Sequence, residues 1–390
     1  MQPQLKKLAF EMTIFYVFSI DYQLISHRKA IVQEAVNKGF RVTVVAADTG
    51  YRPEIENMGV RFIELPINRV GTNLIEELNT FKFLYKLYKK EKPDLVHHVS
   101  AKVVLWGGLA AKLTKVPRVV NAINGLGVFF QNGKIDSLTK RIFVRILNFS
   151  HRRDKVVTIL QNKDDVEFFV SNNAIPREKI QMIDGSGIDL NDFQYTEEVV
   201  RNPLKLLFTS RMIREKGVMD VIEAAQLLKN THKDKLCFQL CGLIESGPTA
   251  ISKEDIEARC DGEYIQFLGQ RTDVKELLQE SAIVLLPSYY REGIPKSLIE
   301  AAAIGRPIVT TDSVGCRETV KDGVNGYLIP VKSPKALAEK ISLLAADPEL
   351  RKKMGRESRA LAEKRFSLAN VISRHFSIYE SLLANPSSSK

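Results

Sequence analysis

Residues Leu285–Pro307 read LLPSYYREGIPKSLIEAAAIGRP. An apolar strand over Ala282–Pro287 runs into a polar turn, then a helix over Pro295–Ile304, then a second strand over Pro307–Thr311. Strand, crossover helix and strand in that order form a βαβ unit, whose strands are parallel. Within the turn, Gly293 allows backbone to approach a ligand closely, and Pro295 suits the first position of a helix. Glu292 and Glu300 stand eight residues apart. An acid at a helix start is explained by the macrodipole. Glu300, inside an apolar helix, has no such explanation and needs a partner.

The same alternation extends outward. Downstream of residue 204, strands at Leu204–Ser210, Leu236–Cys241 and Tyr264–Leu268 alternate with helices at Val218–Lys229 and Asp273–Glu280. Upstream, strands at Met12–Phe18, Arg41–Ala46, Asp94–Val99 and Arg118–Ile123 alternate with helices at Ile25–Lys38, Asn73–Lys92 and Lys102–Lys115. A polar, poorly patterned segment, Ile188–Pro203, reads as a link between them. The expectation is an α/β protein of two doubly wound domains, 1–195 and 200–365, with the ligand in the cleft where they face each other.

Composition sets the outer bounds. The chain has 390 residues, is 44% hydrophobic and carries a net charge of +11. These values exclude a disordered chain and a small disulfide scaffold. No apolar run reaches the ~18–20 residues of a membrane span. Leu8–Ile20 is short, carries Glu11 and lacks a small-residue cleavage site, so it reads as a strand rather than a leader. Cys237, Cys241, Cys260 and Cys316 show neither CxxC spacing nor a nearby histidine, and read as reduced thiols of a cytoplasmic protein. The positive charge fits nucleic acid, an anionic membrane or phosphorylated small molecules. A nucleic-acid partner is not expected, because no stacking motif or basic arm is present and the charge is spread over both domains.

Nucleotide fingerprints are mostly missing. Gly125-Leu-Gly127 and Gly185-Ser-Gly187 lack the third glycine of a dinucleotide loop, and there is no phosphate-loop GxxxxGK[ST]. No two aspartates stand two apart, so the acidic pair that usually holds a metal on a diphosphate is absent. A bound diphosphate would have to be met by cations and backbone amides. Arg211, which ends the strand LLFTSR, and Lys216, at the mouth of the next helix, are such cations, at the carboxyl end of a parallel strand.

Taken together, Glu292-x7-Glu300 within EGIPKSLIEA, Arg211 and Lys216 in SRMIREKG, FLGQRTDV and GCRETVKDGVNGYLIP resemble the retaining, metal-independent glycosyltransferases of family four, which have the GT-B fold. The likeness extends more loosely through SHRKAIVQEAVNKGFRVTVVAADTG and DLVHHVSAKVVLWGGLAAK. It implies that Arg211 and Lys216 hold the donor diphosphate and stabilise the leaving group. Glu292 would hold hydroxyls of the donor sugar, and Glu300 would accept from the ribose hydroxyls. Backbone from Gly293 through Ile294, Pro295 and Lys296 to Ser297 would meet the phosphates, and Gln270 and Arg271 would border the base. No cofactor or metal is implied, and the last helix, within 368–384, would cross back to the first domain.

Departures from the family pattern fall in the first domain. Asn124, in VVNAINGLG, stands where many members have a histidine, and it cannot serve as a general base. SIDYQLISHR replaces the glycine-rich first loop, making Asp21, His27 and Arg28 candidate acceptor or phosphate contacts; Lys102 is another. His97 and His98 occupy adjacent strand positions, so at most one faces the cleft.

Gly315–Glu318, VSAK and NGLG resemble most closely the bacterial enzymes that extend polyprenyl-diphosphate-linked oligosaccharides with UDP-linked N-acetylhexosamines. The resemblance implies a UDP-sugar donor, a lipid-linked acceptor and a peripheral position on the inner face of the cell membrane. Between Lys134 and Lys155 seven cations stand against Asp136 and Asp154, and Leu138, Ile142, Ile146 and Phe149 recur at helical spacing. A basic amphipathic helix of this kind suits an anionic membrane surface, although the same stripe also suits a core face. KFLYKLYKKEK at Lys82–Lys92 is a second basic and aromatic stretch. A non-hydrolysing UDP-sugar 2-epimerase of the same fold is the alternative, without identifiable acid–base carboxylates around the sugar.

Overall fold

A computed structural model of the chain describes residues 12–68, 73–126, 137–199, 201–245, 247 and 249–384. Two compact units result: 1–186 together with 369–390, and 187–368.

The first unit is built on a seven-stranded parallel sheet. Its strands are β1 (Thr13–Ile20), β2 (Arg41–Ala47), β3 (Arg61–Glu64), β4 (Leu95–Val99), β5 (Arg118–Ala122), β6 (Val156–Leu160) and β7 (Ile180–Met182), in the order β3-β2-β1-β4-β5-β6-β7. Adjacent residues of β1 feed opposite faces, as a pleated strand requires. Tyr16 packs with Val44, Val120 and the last helix, while Phe15 and Val17 pack with Leu84, Tyr88 and Ala110 on the other side. That last helix, Leu368–Leu383, contributes Val371, Phe376, Tyr379 and Leu382 to the first unit's core. Both faces being covered explains why β1 and β4 are buried along nearly their whole length, the histidines of β4 included.

The second unit holds a six-stranded parallel sheet of β8 (Leu204–Thr209), β9 (Leu236–Cys241), β10 (Ile265–Gly269), β11 (Ile283–Leu286), β12 (Ile308–Thr311) and β13 (Gly326–Ile329), ordered β10-β9-β8-β11-β12-β13. In both sheets the order reverses beside the unit's first strand: β1 neighbours β4, and β8 neighbours β11. Ligands of open α/β sheets bind beyond the carboxyl ends of the strands at such a reversal.

Three local expectations are corrected. Ile25–Lys38 is two helices, Asp21–His27 and Lys29–Asn37, broken at Arg28, whose backbone is non-helical (φ −134, ψ 1). Arg28 leaves the helical path while its buried guanidinium reaches Asn124 Oδ1 at 3.0 Å. Pro295 does not open its helix but precedes it with extended backbone (ψ 125), the helix running Lys296–Ile304. Ile188–Pro203 is not a free link, because most of it is strapped to the second unit. Ile188 N–H donates to Phe366 O at 2.8 Å, buried Arg306 reaches Thr196 O at 2.7 Å, and buried Arg351 grips both oxygens of Glu198 at 2.9–3.0 Å. The four cysteines are free thiols, three of them buried.

Candidate active site

The reversal point of the second sheet gathers most of the residues singled out from sequence. β8 ends at Thr209, and Arg211 lies two residues on. A short helical turn, Arg214–Lys216, then carries Lys216, and Gly217 closes it with φ +79. Gly217 is required for space as well as for dihedral angle, since a Cβ there would press into Pro287 O at the end of the neighbouring strand. The turn and the segment after β11 are also bonded directly: Tyr289 and Tyr290 N–H both donate to Glu215 O, at 2.8 and 3.1 Å. Lys216 and Glu292, 76 residues apart, meet there as a salt bridge.

Lys216 is buried, with 6% of its side chain exposed, and Glu292 retains 20%. A buried ammonium demands a counter-charge, and Glu292 supplies one. Arg211 Nη1 pairs with Glu245 Oε2 at 2.9 Å. The Tyr290 ring lies 5.4 Å from the Arg211 guanidinium and 5.5 Å from Lys216 Nζ, so one aromatic ring serves both cations. Burial opposes the Arg211 charge, but Glu245 and Tyr290 outweigh it and raise its pKa above the ordinary arginine value.

Helix Lys296–Ile304 follows, with no side chain capping its amino end. Gly293, Ile294 and Pro295 are buried, and Lys296 and Ser297 are half-buried. Glu300 finds its partner in Lys296, one turn back, at 3.5 Å. Burial raises the Glu300 pKa, with Lys296 pulling the other way. Behind this segment, Gly315 (φ +84) sits against it so closely that a Cβ would lie 2.8 Å from Glu292 O and nearer still to Gly293 O. Ser313 Oγ donates to Ser288 O at 2.8 Å and Thr310 Oγ1 to Leu286 O at 2.6 Å, fixing the same segment. Arg271 is exposed and paired with Asp273 through two bonds of 2.7 and 2.5 Å.

The first-unit candidates divide. Arg28 and Asn124 come together at 3.0 Å, and Gln161 Nε2 donates to the same Asn124 oxygen at 3.1 Å. Arg28 is buried with no acidic partner in an ion pair among the described residues, and burial lowers its pKa to about 10. Asp21 is turned elsewhere: it accepts the N–H groups of Tyr22, Thr49 and Tyr51 at 2.7–2.9 Å and the Thr49 hydroxyl. Burial would raise its pKa, but these bonds prevail and lower it. Lys102 pairs with Glu77 at 2.5 Å and donates to Asn68 O at 2.6 Å. His27 is half-exposed beside Arg28. His97 and His98 are both buried on opposite faces: His97 Nδ1 meets Tyr379 at 2.6 Å, and His98 meets Tyr88 and Asn121 at 2.9 and 2.8 Å.

The basic amphipathic stretch with Leu138, Ile142, Ile146 and Phe149 at helical spacing forms a helix over Leu138–His151, and Lys134, Asp136 and Gly127 lie outside the described residues. Its core face is Phe143 and Leu147, whereas Leu138 (70% exposed), Ile142 and Phe149 face out beside exposed Arg141 and Arg145. Sequence reasoning missed Glu245, which sits in an unpatterned loop after β9, and the role of Tyr290, which lay inside the quoted stretch.

Comparison with known proteins gives consistent matches. Residues 194–361 match the family described as "Glycosyl transferases group 1", and residues 14–159 match "Glycosyl transferase 4-like". A Campylobacter jejuni protein described as N,N'-diacetylbacillosaminyl-diphospho-undecaprenol alpha-1,3-N-acetylgalactosaminyltransferase is 28% identical over 92% of this chain and 96% of its own. An Escherichia coli UDP-Gal:alpha-D-GlcNAc-diphosphoundecaprenol alpha-1,3-galactosyltransferase is 26% identical over 75% of this chain and 77% of its own. Among solved structures, a Rickettsia africae glycosyltransferase superposes with a TM-score of 0.75 at 21% identity, covering 96% of this chain and 99% of that one. Anabaena HepE, solved with UDP and glucose, gives 0.74 at 19% identity over 95% and 100%.

Proposed function

The chain belongs to the glycosyltransferases, its first unit to the 4-like family and its second to group 1, and on that premise we propose a metal-independent, retaining transfer of an N-acetylhexosamine or related sugar from UDP to a polyprenyl-diphosphate-linked saccharide. The observation that carries this reading is the Lys216–Glu292 pair beside Arg211, at the carboxyl-end reversal of the second sheet. Two cations on one side and a sugar-binding carboxylate on the other suit the two ends of a bond between a hexose and a diphosphate. The first-named relative acts on a diphospho-undecaprenol-linked substrate and transfers N-acetylgalactosamine, which supports the choice of acceptor and donor.

In this reading the chemistry asks for charge stabilisation and positioning rather than for a strong protein base. The bond from the sugar's anomeric carbon to the diphosphate oxygen breaks, and the acceptor oxygen bonds to that carbon on the same face. The acceptor proton passes to the departing phosphate oxygen. Arg211, Lys216 and the amino end of helix Lys296–Ile304 stabilise the charge that develops on UDP. Glu292 holds sugar hydroxyls and Glu300 the ribose, with the backbone of Gly293, Ile294, Pro295, Lys296 and Ser297 around the phosphates and Arg271 near the base. In the first unit, Arg28 with Asn124 suits the acceptor's phosphate, with His27 and Lys102 as further acceptor contacts; Asp21 serves by shaping the Thr49–Tyr51 loop.

Among the described residues no helix is long and apolar enough to cross a membrane. The outward basic and apolar face of Leu138–His151 supports peripheral attachment to an anionic inner leaflet, where a polyprenyl-linked acceptor is anchored. The epimerase alternative draws no support from these matches. Thermal-shift binding against nucleotides and UDP- and GDP-sugars, with EDTA present, tests the donor assignment. Stabilisation by UDP and one UDP-sugar is expected. A shift with GDP or ADP alone overturns the donor, and no shift with any nucleotide overturns the site.

A further inference from the structure

Both cations of the candidate diphosphate site already hold a carboxylate. The Glu292 partner of Lys216 has an assigned use in the proposed reaction, whereas Glu245 has none. Glu245 lies past β9, outside every motif read from the sequence, yet its Oε2 is 2.9 Å from Arg211 Nη1. About a third of the Arg211 side chain and 28% of Glu245 remain exposed, so the pair stands at the edge of the site, where an incoming anion can reach it.

Arg211 does not depend on Glu245 for its place. The Tyr290 ring lies under the guanidinium at 5.4 Å, and Tyr290 is itself fastened through its N–H to Glu215 O in the turn that carries Lys216. Position and neutralisation are thus supplied by different residues: Tyr290 places the cation, and Glu245 balances its charge.

We infer that Glu245 is a displaceable counter-ion of the donor site, competing with the diphosphate for Arg211 and so easing release of the nucleoside diphosphate after transfer. The inference rests on the donor reading above and specifies how that site is emptied. A carboxylate bonded to the cation must be displaced by the diphosphate on binding, and it returns as the product leaves. Removing its charge while keeping its shape therefore strengthens diphosphate binding. Loss of a positioning residue would weaken it, so the sign of the change distinguishes the two roles.

Calorimetric titration of UDP into the full-length protein, its Glu245→Gln and Glu245→Asp variants, and Tyr290→Leu tests this. Glu245→Gln is expected to bind UDP about 1.5- to 5-fold more tightly, the range of a partly exposed ion pair. Its inhibition constant for product UDP is expected to fall by the same factor. Glu245→Asp restores wild-type affinity by restoring the charge, and Tyr290→Leu weakens binding. The gap between wild type and Glu245→Gln narrows in 1 M salt, where exposed charges are screened over about 3 Å. Equal or weaker UDP binding by Glu245→Gln, with the wild type binding normally, overturns the counter-ion role alone. Failure of the wild type to bind UDP overturns the donor reading and the inference with it.

Discussion

Gly315→Ala probes how tightly the segment carrying Glu292 is held. Gly315 has φ +84, where an alanine is strained by about 1–2 kcal/mol. Space is the larger difficulty. The new methyl would lie 2.8 Å from Glu292 O and 2.9 Å from Gly293 C, and closer again to Gly293 O, where ordinary contact begins at 3.4 Å. Relief requires the 292–293 backbone to retreat by about an ångström, or the 315–319 turn to move away from it. Overpacking of this kind adds about 1–3 kcal/mol. If the segment is catalytic as proposed, displacing it by about 1 Å costs on the order of 100-fold in rate. Gly323→Ala is the internal control: its φ is +72, but nothing lies within 4 Å of the added methyl. Denaturant unfolding and turnover, measured side by side, are expected to show both variants destabilised by at least about 1 kcal/mol, with only Gly315→Ala losing most of its turnover. Wild-type turnover in Gly315→Ala, or equal losses in the two variants, would refute the reasoning.

Lys216→Ala and Glu292→Ala are each expected to cut turnover by about 100-fold or more, the scale of one lost transition-state contact, read in a steady-state transfer assay. Near-normal rates in both would displace the site. Glu300 gives a pH signature. Burial raises its pKa, and the ionised form is the one proposed to accept the ribose hydroxyls. UDP affinity should therefore rise as pH climbs through a window above the usual glutamate range and fall as pH drops through it. Glu300→Gln should abolish that slope in calorimetry. Replacing Arg141, Arg145 and Arg152 by glutamate is expected to abolish co-sedimentation with anionic liposomes at low salt. Unchanged binding would assign the exposed face another purpose.

Local pattern carried much of this protein. Apolar strands, helical periodicity and the glycines and prolines between them marked the parallel sheets, and the spacing of Arg211, Lys216, Glu292 and Glu300 pointed to the candidate site. Features that depend on long-range packing were hidden. No local signal breaks a helix at Arg28, whose side chain instead bonds to Asn124, 96 residues away. The polar run 188–203 looks like a linker until Arg306 and Arg351 are seen to hold it. Glu245 reaches Arg211 from a loop without periodicity. Gly315 looks like an ordinary turn glycine, and only the position of Gly293 shows why no side chain fits. Asp21, a candidate ligand contact by its place after β1, is occupied instead by the Thr49–Tyr51 backbone.

Because residues from 369 onward belong to the first unit, the order of synthesis and the order of completion differ. Translation normally lets the leading domain fold first. Here residues 187–368 form an uninterrupted unit that can close as soon as it clears the ribosome. The leading 186 residues must wait, with part of one face of their sheet uncovered, until Phe376, Tyr379 and Leu382 have been made. Tyr379 then closes that face by bonding to His97 and Tyr16. A premature stop just before residue 369 would spare every residue of the candidate donor site and still strand the first half of the protein, leaving a nascent chain for chaperones rather than a smaller enzyme.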